Sequence, residues 1–363
     1  MKIITVGEPQ IIMDNPLSKH NYFGWPTVER LKNGRIAVVA SGFRLHHVCP
    51  FGKTVMAISE DEGETYTRPM PIIDTVLDDR DGGILAFGES GVIVTSFNNT
   101  RAMQRGRLTD QSPNADYISA YLDKVTDEEE KRDLGSTFRI SHNNGVTFGP
   151  IHKSPITSPH GPTELRDGTI LWVGRSYSND DNHMDSDKIH AYTISVDGTM
   201  EYRGSIENIP SEDGKLLSCE PHAIQLQDGR ILCHIRVQRY GEKPVFTAYQ
   251  SESADGGYTW SEPVRILDIQ GGAPAHLLQL EDGLLISTYG YRQPPYGVKV
   301  MFSTDGGKTW DVGHDLYING YSSDLGYPAT ITLKDGSFLT VFYARPDGQE
   351  PAEILQQKWR IEK

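Results

Sequence analysis

The eight residues Ser253-Ala254-Asp255-Gly256-Gly257-Tyr258-Thr259-Trp260 carry the pattern Ser-x-Asp-x-Gly-x-Thr-aromatic, which recurs along the chain. In such a unit the Asp carboxylate is expected to accept backbone N–H groups of a tight turn, while the Gly takes a positive φ. The recurrence predicts a repeat protein in which these units are structural turns between neighbouring strands. The other copies begin at Ser59, at Ser303, at Ser141 (with Asn143 in place of the Asp) and, in a weaker form, at Ser195.

A second repeat consists of short apolar runs that enter and leave a Gly-containing turn. Asn-Gly and Asp-Gly between alternating apolar runs are a strong signal for a β-hairpin. Six such hairpins predict an all-β fold, a six-bladed β-propeller of four-stranded antiparallel blades. We expect residues 1–363 to form a single domain. The turns are Asn33-Gly34, Ser90-Gly91, Asp167-Gly168, Asp228-Gly229, Asp282-Gly283 and Asp335-Gly336.

Two features depart from the regular repeat. The longest interval between turns contains the charged segment Asp116–Lys131, which predicts a short helical insert near residues 110–134. The apolar runs Ile3–Val6 and Ile354–Ile361 lie outside the six hairpins. We expect these two runs to share one blade and to close the ring.

The charge and the termini limit the classes of partner. The formal net charge is -14 and the pI about 5.3, which disfavours nucleic acid and anionic membranes. No apolar run reaches the ~18 residues of a membrane span, and the N-terminus lacks the apolar core of a signal peptide. We therefore expect no membrane insertion and a cytoplasmic protein, with a secreted form whose signal was removed left open. Cys49, Cys219 and Cys233 show no metal-binding spacing, so no metal or other cofactor is expected.

The two repeats together resemble the sialidase (neuraminidase) superfamily, whose six-bladed propellers carry these turns as Asp boxes. The resemblance covers nearly the whole chain. It implies an exo-acting glycoside hydrolase that releases a terminal sialic acid with retention, using a Tyr nucleophile activated by a Glu. The implied partner is a sialoglycan or another terminal sugar, and the oligomeric state is left open.

The hairpin turns serve as reference points from which the family's catalytic positions are counted along the chain. Tyr327 lies eight residues before Asp335, an offset similar to that of the family's nucleophile, with Tyr321 as the alternative. Glu220 lies eight residues before Asp228, as the activating Glu does in the family. A neutral phenol is not repelled by the carboxylate of a sialic acid, but its reference pKa of about 10 means that it needs a base such as Glu220.

Three positions depart from the family pattern. Arg236, eight residues after Asp228, matches one arginine of the family's carboxylate-binding triad. The family's Arg-Ile-Pro motif is here Gly24-Trp25-Pro26, so its arginine is missing, and Tyr296 stands where the third arginine is expected. The loop from Leu45 to Lys53, in the place of the family's acid/base Asp, contains no carboxylate.

The candidate acid/base groups are therefore His46 and His47, since imidazole titrates near neutral pH. His47 is favoured by its offset, and Asp81 is the alternative. Further substrate contacts are expected from cations, from a segment that resembles the family's substrate-contacting Asp, from His residues at inner-strand starts and from a Pro-bearing loop. These candidates are Arg44, Lys53, Arg292, Arg236, Asp79, His160, His222, His276, Tyr291 and Tyr296.

Two other functions remain open at this point. Because two triad arginines are missing, the substrate can be another terminal acidic or deoxy sugar. The chain can also be a non-catalytic sugar-binding propeller, which would keep the aromatic residues of the pocket and lose the groups that transfer protons.

Overall fold

The structure is a computed structural model that describes residues 1–109, 112, 114–177, 188–209, 216–241, 244–268, 270–345 and 351–362. Its strands form six antiparallel sheets that follow one another along the chain as blades of a propeller. This confirms the predicted fold class. Strands near the centre of a blade are apolar on both faces because each blade packs between two neighbours, and every residue of the strand Gly91–Phe97 is buried.

The strands and helices have the following bounds. In chain order they are β1 (Lys2–Met13), β2 (Tyr22–Arg30), β3 (Ile36–Arg44), β4 (Lys53–Ser59), β5 (Met70–Ile73), β6 (Arg80–Phe87), β7 (Gly91–Phe97), α1 (Arg101–Gly106), α2 (Ala115–Leu122), α3 (Asp127–Asp133), β8 (Ser136–Ser141), β9 (His152–Ser154), β10 (Ile156–Thr157), β11 (Thr163–Glu164), β12 (Ile170–Ser176), β13 (Ile189–Ile194), β14 (Met200–Ile206), β15 (Leu217–Gln225), β16 (Ile231–Arg239), β17 (Val245–Ser253), β18 (Val264–Arg265), β19 (Gly272–Gln279), β20 (Leu285–Tyr291), β21 (Gly297–Ser303), β22 (Asp311–Tyr317), β23 (Gly326–Thr332), β24 (Phe338–Ala344) and β25 (Glu353–Glu362).

The first and last strands of the chain share the sixth blade. Its strand order is β1-β25-β24-β23, and β1 runs antiparallel to β25 with Ile3 opposite Ile361. The predicted closure of the ring is therefore confirmed. Pairing of β1 covers the polar edge that β25 would otherwise leave open.

The third blade differs from the four-stranded prediction. Its inner strand is interrupted, and the short strands β10 and β11 both pair with β12 to give a five-stranded sheet. The intervening residues include Pro159 and Pro162. Because proline has no N–H to donate to a sheet, the strand cannot run through this segment.

The helical insert begins earlier than predicted and contains three short helices. Thr100 caps α1 by accepting a 3.1 Å hydrogen bond from Met103 N, and Thr126 begins α3 with a capping box completed by Glu129. These caps start new helices where the charge pattern alone suggested one. Among the described residues, no helix is long and apolar enough to span a membrane.

The Asp boxes connect the third and fourth strands of a blade, as predicted. In the box between β17 and β18, Asp255 Oδ1 accepts a 2.9 Å bond from Thr259 N, while Asp255 Oδ2 accepts a 2.6 Å bond from Thr259 Oγ1. Ser253 Oγ accepts a 2.8 Å bond from Gly257 N. Asn143 accepts from Thr147 N at 2.9 Å in its own box, so the amide can replace the carboxylate in this turn.

Candidate active site

Four inner strands present one side chain each from an equivalent backbone position. Trp25, Asp81, Glu220 and Tyr327 all have positive φ, between 48° and 54°. Each occupies a break in the register with the second strand of its blade. Such bulges redirect a side chain, and a non-Gly residue with positive φ costs about 1 kcal/mol or more, which is tolerated chiefly at functional sites. The ring of bulges therefore marks one end of the propeller axis as the candidate site.

Tyr327, Glu220 and Arg236 form the centre of this site. The Tyr327 hydroxyl donates a 2.6 Å hydrogen bond to Glu220 Oε1. Arg236 Nη1 donates a 2.6 Å bond to Glu220 Oε2 and a 3.2 Å bond to Tyr327 Oη. Residues of the fourth blade (Glu220 and Arg236) and of the sixth blade (Tyr327) thus meet at one point. Tyr321, the alternative to Tyr327, is 61% exposed, and none of the site contacts described here involves its side chain.

The electrostatics of the pair determine which of the two groups carries the proton in the resting site. Burial raises the pKa of the Tyr327 hydroxyl well above its ordinary value, and the charge of Glu220 raises it further. Burial also opposes ionisation of Glu220, but Arg236 and the Tyr327 hydrogen bond outweigh it and hold the pKa of Glu220 below its ordinary value. At neutral pH the site therefore contains a protonated phenol beside an ionised carboxylate.

Asp81 lies beside this pair. It lines a cavity of about 110 Å³ together with Glu220, Cys219 and Arg175. Asp81 Oδ1 is buried and has no hydrogen-bond partner in the part of the chain that the structure describes. Burial raises the pKa of Asp81 to about 7, and the charge of Arg80 offsets only part of this effect. Asp81 is thus poised to exchange a proton near neutral pH.

Besides Arg236, a second cation, Arg292, lies close to Tyr327. Its guanidinium carbon lies 5.5 Å from the Tyr327 ring centroid and 5.3 Å from that of Phe246. Its Nε donates to Leu325 O at 3.1 Å. In the part of the chain that the structure describes, no carboxylate forms an ion pair with Arg292, so its charge is available to an acidic ligand.

His47 and Tyr327 both lie close to Trp25. The Trp25 ring centroid is 5.0 Å from that of His47 and 6.5 Å from that of Tyr327. His47 is 49% exposed, and its Nδ1 lies 3.0 Å from Asp324 Oδ1. Burial lowers the pKa of His47 and the Asp324 hydrogen bond raises it, with a net lowering. A titratable imidazole and the Tyr327 phenol therefore both lie beside the Trp25 ring.

Arg44 does not reach the pocket. Its side chain is 0% exposed and forms a 2.6 Å ion pair with Asp78. The guanidinium lies 4.8 Å from the Trp25 ring centroid, and that of Arg80 lies 4.1 Å away. Trp25, which follows the Gly24 that stands at the position of the first family arginine, is therefore flanked by two cations that both pair with Asp78.

Three other predicted residues also lie away from the Tyr327 centre. Lys53 Nζ pairs with Asp74 at the start of the third strand of its blade. Asp79 is fully buried and accepts hydrogen bonds from Thr75 N and Thr75 Oγ1 at 2.7 and 2.9 Å. His46 is partly buried, and its Nε2 has no hydrogen-bond partner among the described residues. The contacts of Lys53 and Asp79 are structural and do not favour a substrate-binding role for them, whereas the acid role of His46 stays a prediction.

The three axial histidines pack against one another. The ring centroids of His222 and His276 are 4.3 Å apart, and that of His160 is 5.4 and 5.2 Å from them. All three are buried, and burial lowers their pKa values, that of His222 to about 3. They form a neutral cluster in which His222 lies two residues after Glu220, at the bulge of β15. His276 follows the register break of β19, and His160 lies between β10 and β11.

The two predicted loop tyrosines lie apart from the axial centre. Tyr291 is partly buried, with Lys299 Nζ 4.8 Å from its ring centroid. Tyr296 is partly buried against the core cluster that contains Leu325 and Phe342. Their roles in substrate binding stay predictions.

Sequence reasoning missed Asp324, which accepts hydrogen bonds from four side chains. The donors besides His47 are the hydroxyls of Tyr22 and Tyr343, at 2.9 and 3.0 Å from the nearer carboxylate oxygen, and Arg345 Nη2, at 2.6 Å. What could have indicated Asp324 in the sequence is its position three residues before Tyr327, in the loop that leads into the bulge. Within the described ranges, no group of three or more His, Cys, Asp or Glu side chains is arranged to hold a metal ion.

Comparison with known proteins agrees with this architecture. Residues 123–341 match the BNR repeat-like domain family. A search of curated proteins found no match. The fold is similar to that of a protein of unknown function from Dyadobacter fermentans, with 21% identity, a TM-score of 0.75 and 99% of each chain covered.

Two similar structures are enzymes. The NanB sialidase from Streptococcus pneumoniae has 14% identity and a TM-score of 0.67, over 98% of this chain and 71% of that chain. The intramolecular trans-sialidase from Ruminococcus gnavus has 14% identity and a TM-score of 0.65, over 97% of each chain. At these identities the likeness concerns the fold. Because the family match spans more than half of the sequence and the Asp boxes lie where six blades require them, this chain belongs to the BNR repeat-like domain family and has the sialidase-like propeller fold.

Proposed function

We propose that this protein is a retaining exo-glycosidase that releases a terminal sialic acid from a glycan. The observation that carries the proposal is the 2.6 Å hydrogen bond from Tyr327 to Glu220, beside the guanidinium of Arg236. A buried phenol bonded to an ionised carboxylate is an activated nucleophile that itself bears no charge. Such a nucleophile suits an anomeric carbon that carries a carboxylate, and Tyr-using sialidases are an exception to the two-carboxylate rule of glycosidases.

In the first step, Tyr327 Oη attacks the anomeric carbon while Glu220 takes the phenolic proton. The bond from the anomeric carbon to the leaving oxygen breaks, and protonated His47 supplies the proton that this oxygen needs. The product is a glycosyl-Tyr327 intermediate and a free alcohol. Arg236, which contacts both Glu220 and Tyr327 Oη, offsets the negative charge that is shared between them.

In the second step, water attacks the anomeric carbon from the side that the leaving group vacated. His47, now neutral, accepts a proton from this water, and Glu220 returns its proton to Tyr327 Oη as the glycosyl bond breaks. Two inversions give net retention. Every group then has its starting protonation state, so no further reactant is needed.

Arg292 is the best-placed contact for the substrate carboxylate. It lies over the Tyr327 ring and has no ion-pair partner among the described residues, whereas Arg44 and Arg80 both pair with Asp78. A guanidinium can bind two carboxylate oxygens at once. The solved relatives support an acidic ligand, since the Ruminococcus gnavus enzyme was crystallised with oseltamivir carboxylate.

The decisive experiment combines turnover with trapping. The protein is assayed on a panel of fluorogenic sialosides and uronosides and incubated separately with a 3-fluorosialosyl fluoride. The fluoride leaving group favours the first step, and the electronegative substituent at C3 slows the second. We expect turnover of a sialoside and a glycosyl mass increment on Tyr327 that is lost in Tyr327→Phe. A labelled peptide that lacks Tyr327 would overturn the assignment of the nucleophile.

A second candidate substrate is another terminal acidic or deoxy sugar. It is favoured by the segment Gly24-Trp25-Pro26, which lacks the first arginine of the sialidase pattern and places the buried Trp25 ring near Tyr327. With fewer free cations, the pocket suits a ligand whose carboxylate makes fewer contacts. Turnover of uronosides without turnover of sialosides would select this candidate, and binding without turnover of either would select a non-catalytic sugar-binding propeller.

A further inference from the structure

Asp324 and His47 lie 277 residues apart in the chain, yet their side chains are in contact, with 3.0 Å between His47 Nδ1 and Asp324 Oδ1. His47 belongs to the loop after β3 of the first blade. Asp324 belongs to the loop that leads into β23 of the sixth blade, three residues before Tyr327. The contact therefore joins the loop that carries the proton donor to the segment that carries the nucleophile.

The hydrogen bonds around Asp324 determine which nitrogen of His47 carries a proton. The Tyr22 hydroxyl lies 3.0 and 2.9 Å from the two oxygens of Asp324 and 3.2 Å from His47 Nδ1. Its single hydrogen is used by the carboxylate, because an ionised carboxylate only accepts. Nδ1 of His47 must therefore be the donor toward Asp324. In the neutral ring this leaves Nε2 with its lone pair.

The carboxylate is held firmly enough to orient the ring. Tyr343 donates to Oδ1 at 3.0 Å and Arg345 donates to Oδ2 at 2.6 Å, in addition to Tyr22. Burial works to raise the pKa of Asp324, but the His47 hydrogen bond and Arg345 outweigh it and hold the pKa below its ordinary value. Asp324 is therefore ionised over the whole range in which His47 titrates.

We infer that Asp324 is the positioning residue of His47: it fixes the Nδ1–H tautomer and the ring orientation, and it makes Nε2 the atom that exchanges the proton with the leaving group. The inference rests on the proposed role of His47. Half of the ring is exposed, and Nε2 has no partner within the described chain, so that nitrogen is open to substrate. An imidazole whose second nitrogen is held by a carboxylate is a recurring arrangement for proton transfer.

The charges around His47 set the expected pH dependence. Asp324 favours the imidazolium, whereas Arg80 and Arg44 oppose it. Arg80 Nη1 and Arg44 Nη2 both donate to the backbone oxygen of His47, at 2.6 and 2.8 Å. Removal of the carboxylate takes away the charge that favours the imidazolium and should therefore lower the pKa of His47. The activity that requires protonated His47 then declines at lower pH.

The test uses Asp324→Asn, with Tyr343→Phe as the matched control. Tyr343→Phe removes another hydrogen bond to the same carboxylate but leaves the His47 contact in place. The first readout is the titration of the His47 ring by NMR in the substrate-free protein. We expect a lower midpoint in Asp324→Asn and a shift of less than half as much in Tyr343→Phe. Equal midpoints in wild type and Asp324→Asn would overturn the inference, whatever the enzyme turns over.

The second readout is turnover on the sugar selected by the panel. Asp324→Asn should lose about 10²-fold or more on a natural glycoside, recover most of this loss on a nitrophenyl glycoside, and move the alkaline limb of the pH profile to lower pH. An equal loss on both substrates with an unmoved limb would mean that Asp324 only supports the fold. If none of the substrates is turned over, only the proposed function is contradicted, because the NMR titration of His47 does not depend on turnover.

Discussion

Tyr327 and Glu220 lie on the inner strands of two different blades, 107 residues apart in the chain, and share a 2.6 Å hydrogen bond. Both residues have positive φ. The two strained bulges thus bring their side chains into one hydrogen bond. This contact forms only when the closed ring brings the two blades together. This relationship carries the proposed chemistry, and the first prediction follows from it.

Glu220→Gln should reduce kcat by about 10²–10⁴-fold, because an amide cannot take the proton of Tyr327. Steady-state kinetics at neutral pH measure the change. The matched control is Glu252→Gln, which alters another Glu–Arg pair of the same blade, that of Glu252 with Arg230. The control should keep kcat, and a comparable fall in both variants would point to damage of the blade.

His47→Ala should reduce turnover of a natural glycoside by about 10²–10⁴-fold, the usual size of a general-acid contribution. A nitrophenyl glycoside needs little protonation and should lose much less. His314→Ala is the control, since His314 pairs with Asp311 at 2.9 Å on the outer strand of the fifth blade. Equal losses on both substrates would show that His47 positions the sugar.

Arg292→Gln should raise KM for an acidic substrate by about 10- to 100-fold, since a hydrogen bond to a charged group contributes about 1.5–3 kcal/mol. The same substrate as its methyl ester should be affected much less. Arg203→Gln is the control, because Arg203 also lies over a tyrosine ring, 4.5 Å from the centroid of Tyr258, but outside the site. An unchanged KM in Arg292→Gln would remove it from the pocket.

Asp255→Ala should lower the free energy of unfolding by about 1 kcal/mol, because Thr259 N loses its acceptor. Asp255→Asn should lose less, since Asn143 already makes the same turn in its own box. The pKa of Asp255 in the folded protein is about 2, against an ordinary value of 3.8. The stabilisation of the folded state by ionised Asp255 is therefore present above pH 4 and is lost as the pH falls toward 2. Loss of turnover at an unchanged melting temperature would contradict a structural role.

Asp81→Asn should change the pH dependence of stability. The pKa of Asp81 is about 7 in the folded protein, against an ordinary value of 3.8, so the folded state holds more protons and wild-type stability falls as the pH rises from about 4 to 7. The variant lacks this titration. Its unfolding free energy relative to wild type should therefore increase by about 1–3 kcal/mol between pH 5 and pH 8, at about 1.4 kcal/mol per unit. Denaturant unfolding of both proteins at pH 5 and pH 8 measures this difference. An equal change in unfolding free energy for wild type and variant between the two pH values would refute the prediction.

The sequence by itself determined the repeat, and with it much of the site. Hairpin turns and Asp boxes depend on local φ/ψ preferences and local hydrogen bonds, so their residues indicate directly where each blade lies in the sequence. Because every blade uses the same strand offsets, counting from the turns located Glu220, Arg236 and Tyr327, which meet in the structure. The same counting placed Arg44 near the pocket, where the structure instead buries it against Asp78.

Only the tertiary structure decided what lies beside each counted position. The place of Asp324 near Tyr327 in the chain does not reveal its contacts, because its four donors come from the first blade, from the sixth blade and from the chain end of β24. Whether a cation is free, as Arg292 is in the described chain, or neutralised, as Arg44 is, depends on neighbours that are distant in sequence. Local turns are specified by adjacent residues, whereas the charge and solvation of a side chain are specified by whatever the closed ring brings within a few ångströms, and these decide the chemistry of the pocket.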